Sequence, residues 1–173
     1  MLTSMGSAEP FDRIPPGGGF LFERHGLEKF LCLKVATDAE QGAVAVPLTG
    51  LGSHFPEFLR AAFEGNVLSI PGLRLVTSPF TDDISMNMAV DYNPGEICLF
   101  DNEEAFLVFR YRQHGSLECD FLFNLKSAEI ALSNELVMRA TPIVIKRWAF
   151  VIELFNKPLT LFSYPTVAEK LNF

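Results

Sequence analysis

Three cysteines and three histidines are all that the chain offers toward metal or thiol chemistry. Cys32, Cys98 and Cys119 stand far apart and in no Cys-x-x-Cys arrangement. That excludes a disulfide framework and fits reduced, buried thiols. His25, His54 and His114 show no His-x-His spacing, so no metal site is expected. There is no Gly-x-Ser-x-Gly or Ser-x-x-Lys signature, which removes the commonest serine-nucleophile layouts. Gly17 to Gly19 is followed by no Lys-Ser or Lys-Thr and opens no helical pattern, so it is not a phosphate loop. Basic charge is scarce as well: 14 Lys and Arg stand against 21 Asp and Glu, a net charge of −7. An acidic chain repels phosphate backbones, and no basic cluster exceeds Lys146-Arg147, which argues against nucleic acid as a partner. Long apolar runs are missing too. The most apolar stretch, Ile143 to Phe155, is interrupted by Lys146, Arg147 and Glu153 and is too short to span a bilayer. No basic segment leads into an apolar one at the start, so no secretory signal is read and a cytoplasmic location is expected.

What the chain has is phenylalanine, 17 residues against one Trp and three Tyr, in a sequence 49% hydrophobic and 20% charged. That composition excludes a wholly disordered chain. So many rings imply either a dense aromatic core or a ring-lined pocket. A chain of 173 residues has the size of one domain with a full core.

Residues 1–19 read as a flexible leader, because Pro15-Pro16 and three glycines hold neither helix nor sheet. Residues 20–173 read as a single β-rich domain. Phe20 to Arg24 and Leu27 to Ala36 flank His25-Gly26 as a hairpin. The second arm is apolar on both faces, which predicts a central strand covered on both sides. Ala43 to Leu48 follows, and Pro47 predicts an edge. Phe55, Leu59, Ala62 and Phe63 recur at helical spacing, with Pro56 at the start and Gly65 at the end, so a helix is expected over 53–65. Short strands are then expected at Val67 to Ile70, Leu73 to Thr77, Met86 to Val90 and Ile97 to Phe100, punctuated by Pro-Gly and Ser-Pro pairs. A longer hairpin joins Ala105 to Arg112 with Leu117 to Leu125. Ala128 to Arg139 is a second helical candidate. Ile143 to Phe155 reads as one long or bent strand, with a helix as the alternative, and Leu159 to Ser163 pairs with it across Asn156 to Pro158. The sum is a mainly β, β-rich α+β fold. It is expected to be an antiparallel barrel or sandwich of about nine to eleven strands with one or two helices packed on it.

The two hairpins look alike, "FLFERHGLEKFLCLK" from 20 and "FRYRQHGSLECDFLFNLK" from 109. Arg24-His25-Gly26 superficially resembles the Arg-His-Gly of histidine phosphatases. Those enzymes continue with Glu-Ser or Glu-Thr into a helix, whereas Leu27-Glu28 begin another strand. Duplication is the second reading. The reading adopted is that His-Gly twice meets the positive-φ demand of a tight turn. Asp101 to Glu104 and Asp82-Asp83 are read as loop carboxylates. Arg110, Arg112, Lys146, Arg147 and Trp148 form a basic spot if their strands are neighbours.

With no catalytic residue, metal ligand or cofactor site assigned, the expectation is a non-catalytic cytosolic binding protein. It would act on a protein partner through an acidic surface or a sheet edge. Two alternatives stand beside it. One is a β-barrel binding a small apolar ligand among Phe30, Phe109, Phe121 and Phe123. The other is a hydrolase whose carboxylates meet only in the fold.

Overall fold

Alternation of apolar and polar side chains sets the architecture. The computed structural model describes residues 6–24, 28–36, 44–48, 66–77, 84–86, 93–100, 104–112, 118–132 and 142–165. Among them the elements in chain order are β1 (Ser7–Pro10), a 3-10 turn (Phe11–Arg13), β2 (Gly19–Arg24), β3 (Glu28–Lys34) and β4 (Ala45–Pro47). Next come β5 (Asn66–Ile70), β6 (Arg74–Thr77), β7 (Ile84–Met86), β8 (Ile97–Leu99), β9 (Ala105–Arg112) and β10 (Glu118–Asn124). The last are β11 (Ile130–Leu132), β12 (Ile143–Ile145), β13 (Trp148–Leu154) and β14 (Lys157–Tyr164).

All pairings are antiparallel and build three sheets, β1-β5-β2-β3-β4, β11-β10-β9-β8-β12-β7 and β14-β13-β6. A central core draws on all three. Leu31, Leu33 and Val46 come from the first, Leu107, Phe109, Phe121 and Phe123 from the second, and Trp148, Phe150 and Phe162 from the third. β3 is covered on both faces, as its sequence predicts: Leu31 and Leu33 face the central core, while Phe30 and Cys32 join Phe11, Ile14, Phe20 and Val67 in a separate cluster. β4 ends its sheet, where Pro47 costs no ladder bond.

Several expectations are corrected. The sheets do not close into a barrel among the described residues, and fourteen strands replace nine to eleven. No α-helix occurs among those residues. The helix expected over 53–65 lies outside them. The one expected from Ala128 is overturned at Ile130–Leu132, which pairs with β10. The cause is local: Asn124 Oδ1 accepts from the N–H of Lys126 and Ser127 at 2.8 and 3.0 Å, and Ala128 takes φ 60°, reversing the chain into a hairpin. Ile143 to Phe155 is not one strand. It breaks at exposed Lys146-Arg147 and passes from the six-stranded to the three-stranded sheet. A strand at Ile84–Met86 meets the start of the one expected at Met86 to Val90, and residues 87–90 lie outside the described ones.

Part of the stretch read as a flexible leader is paired and packed. Ser7–Pro10 pair with β5, and Phe11 and Ile14 are buried. Lys34 secures the segment, its ammonium donating to the carbonyls of Phe11 and Asp12 at 3.1 and 3.2 Å and lying 4.6 Å from the Phe11 ring centre. Two apolar anchors and one cation suffice to seat a stretch that composition alone reads as a leader.

Candidate functional site

Of the two buried polar side chains among the described residues, Asn124 sits at the β10–β11 turn, and Glu96 sits where the second sheet meets the third. Asn93-Pro94-Gly95-Glu96 forms a turn closed by the Glu96 N–H to the Asn93 carbonyl at 3.0 Å, with Gly95 at φ 93°. Proline then positive-φ glycine is the type II pattern. The Glu96 carboxylate is buried and accepts from the Asn93 backbone N–H at 3.0 Å and from its Nδ2 at 3.1 Å. The turn in turn receives two aromatic donors: Trp148 Nε1 gives to the Gly95 carbonyl at 2.7 Å and the Tyr164 hydroxyl to that of Pro94 at 3.0 Å. Trp148 stacks on Tyr164 with centroids 5.8 Å apart. A Cβ on Gly95 would clash with the edge of the Tyr164 ring, so a side chain there would displace the ring.

This cluster is a brace rather than a reactive centre. Burial, with the Glu96 charge beside it, pushes the Cys98 thiol up to about 12, and burial alone does the same to Cys32. A thiol so raised is a poor nucleophile. Burial and Glu96 also push Tyr164 upward. No group of three or more His, Cys, Asp or Glu residues able to hold a metal comes together among the described residues. His25, His54 and His114 lie outside them, as do Asp82, Asp83, Asp101, Asn102 and Glu103.

The brace grips the root of the β13–β14 hairpin, because Trp148 and Tyr164 are directly opposite each other in its ladder. The other end stands out from the core. Phe155 and Asn156 form its two-residue turn, at φ 53° and 60°. Two positive φ values define a type I′ turn, whose twist matches paired strands. Asn suits that geometry; a bulky ring does not. Phe155 is nevertheless there and 84% exposed. Asn156, Lys157, Pro158, Leu159 and Thr160 are exposed as well. At the flank, Arg74 Nη2 meets Glu153 Oε2 at 3.3 Å, a solvent-facing pair worth about 0–1 kcal/mol. Val76, on β6 beside β13, is 49% exposed.

The ring set named from sequence does not converge. Phe109, Phe121 and Phe123 lie in the central core, with Phe109 stacked on Phe121 at 5.9 Å. Phe30 lies on the opposite face of the first sheet. The basic spot loses Trp148, whose indole is buried, while Lys146 and Arg147 are exposed. Sequence reading missed Phe155. The signal is Asn156 beside it, but the sequence puts the turn at Asn156 to Pro158, one residue past its start at Phe155. Among the described residues no helix is long and apolar enough to cross a membrane. No protein family, curated protein or solved structure matches the chain.

Proposed function

We propose that the chain is a non-catalytic, cytosolic binding protein that engages a protein partner through the tip of the β13–β14 hairpin. The observation that carries this reading is Phe155, a fully presented ring in a backbone conformation that costs roughly 1–2 kcal/mol for a side chain of its kind. Strain of that sort persists where function uses it. The braced root supports the reading, because a rigid arm presents its anchor at little entropic cost.

Between an acidic surface and a sheet edge, the tip is favoured over edge pairing. Leu154 and Lys157 close a two-residue turn, so they exchange the first ladder bonds, and Pro158, opposite Glu153, falls in the outward phase. The outward edge of β14 therefore lacks an N–H at that point, a device that blunts strand addition. The net charge of −7 favours a partner with a basic rim around an apolar pocket.

The test is a paired capture. Full-length chain and its Phe155→Asn variant are immobilised at equal density and the proteins retained from cell extract are quantified. A partner held by the parent and lost by the variant supports the arm. Equal retention moves the interface elsewhere, and no specific retention by either sinks the binding reading.

A further inference from the structure

We propose that residues 7–14 are an exchangeable strand, able to leave the groove of their own molecule and fill the identical groove of a second copy. The groove is the outer face of the first sheet, walled by Phe20, Phe30, Cys32, Ala45 and Val67, with β5 as its hydrogen-bonding edge. The segment is a separable unit. Among the described residues it ends its sheet, so its departure divides nothing there. It contributes Phe11 and Ile14 to the groove cluster and no residue to the central core. The side chains of Ser7, Ala8 and Pro10 are exposed.

The connection makes exchange a one-residue event. Ile14 is already extended, at φ −67° and ψ 125°. Pro15 precedes a proline, which also holds it extended. Pro16 and Gly17 form the centre of a turn closed by the Gly18 N–H to the Pro15 carbonyl at 2.8 Å, with Gly17 at φ 75°. That is a type II turn, and its first central residue has nearly the dihedral angles of an extended polyproline chain. Only Gly17 must rotate for the turn to become a straight link. The cost confined to the hinge is the Gly18–Pro15 bond and the bond from the Gly17 N–H to the Lys34 carbonyl. The ladder to β5, the Phe11–Phe20 contact at 5.4 Å and the Lys34 bonds are each remade unchanged in the second copy. The occupant is therefore fixed by complementarity: the segment already seated in the groove is the one that fits it.

Ala8 and Leu68 are directly opposite in the β1–β5 ladder, close enough for an engineered disulfide. Ala8→Cys/Leu68→Cys on one full chain is first shown to close internally. Single-variant chains, Ala8→Cys and Leu68→Cys, are then mixed at high concentration, incubated and oxidised. Exchange yields a heterodimer whose digest contains the peptide joining positions 8 and 68. Gly17→Ala, placed in both chains, should raise that yield about tenfold, because alanine pays for the positive φ only in the closed turn. A Cβ there would meet the Ala128 Cβ at 3.7 Å, an ordinary contact, so packing does not confound the result. Native mass spectrometry of the unmodified chain and of Gly17→Ala gives an independent dimer fraction. Absence of the joined peptide in both backgrounds overturns the proposal. A yield indifferent to Gly17→Ala overturns it too, since the hinge would lie elsewhere.

Discussion

At the scale of single residues, the molecule separates groups that hold it together from groups it presents. Cys32 and Cys98 belong to the first kind. Their thiols are pushed to about 12 in the fold against an ordinary 9, so well below pH 9 both states keep the proton and the thiols add no pH dependence to stability. Between about pH 9 and 12 the unfolded chain releases protons that the folded chain retains, and stability falls as pH rises. Tyr164, also shifted upward, adds to the same slope. Denaturant titrations at pH 8, 9 and 10 should give a steadily falling midpoint from pH 9 upward; a flat profile would mean that these groups meet water. Phe155 belongs to the second kind. Asn tolerates φ 53° far better than Phe, and a ring 84% exposed surrenders little burial. Phe155→Asn should raise stability by about 1 kcal/mol, or roughly 2–4 °C in melting temperature for a chain of this size. A lower melting temperature would show that the ring packs on the fold rather than waiting for a partner.

At the scale of elements, the β9–β10 hairpin is the wall of the central core that the sequence announces most plainly. Phe121 and Phe123 are buried against Phe109 and Leu107, while Leu122 between them is buried in a separate cluster. Phe121→Ala should cost about 3–5 kcal/mol, read as a shift of the denaturant midpoint with unchanged slope. A midpoint within error of the parent would remove this strand from the core. Strand alternation, Pro47 at an edge and the Pro-Gly and Asn-Pro-Gly turns were legible because each depends on a few adjacent residues. Three features were not legible, for physical reasons. The burial of Phe11 and Ile14 depends on a groove assembled from β2, β3, β4 and β5, residues distant in sequence. The strand at Ile130–Leu132 is decided by the Asn124 side chain turning the backbone, against a loosely helical spacing. The break at Lys146-Arg147 hands the chain between sheets, and a run of β-branched residues carries no mark of that. The ring set of Phe30, Phe109, Phe121 and Phe123 failed to converge for a related reason: β3 is apolar on both faces, and sequence does not say which face meets which cluster.

At the scale of the whole molecule, three antiparallel sheets share a central core and leave the tip of one hairpin exposed, its root gripped by the Asn93–Glu96 turn. The buried Glu96 carboxylate and Trp148 indole are engaged at that turn, while the ring at the hairpin tip is 84% exposed. In the proposed function Phe155 is the binding anchor. The most direct measurement is the dissociation constant of the captured partner for the full-length chain and for Phe155→Asn, determined side by side by calorimetry with both chains shown folded. An anchor of hot-spot strength is worth at least about 2 kcal/mol, so the variant should bind roughly 30-fold more weakly. Equal constants for the two chains would contradict the account.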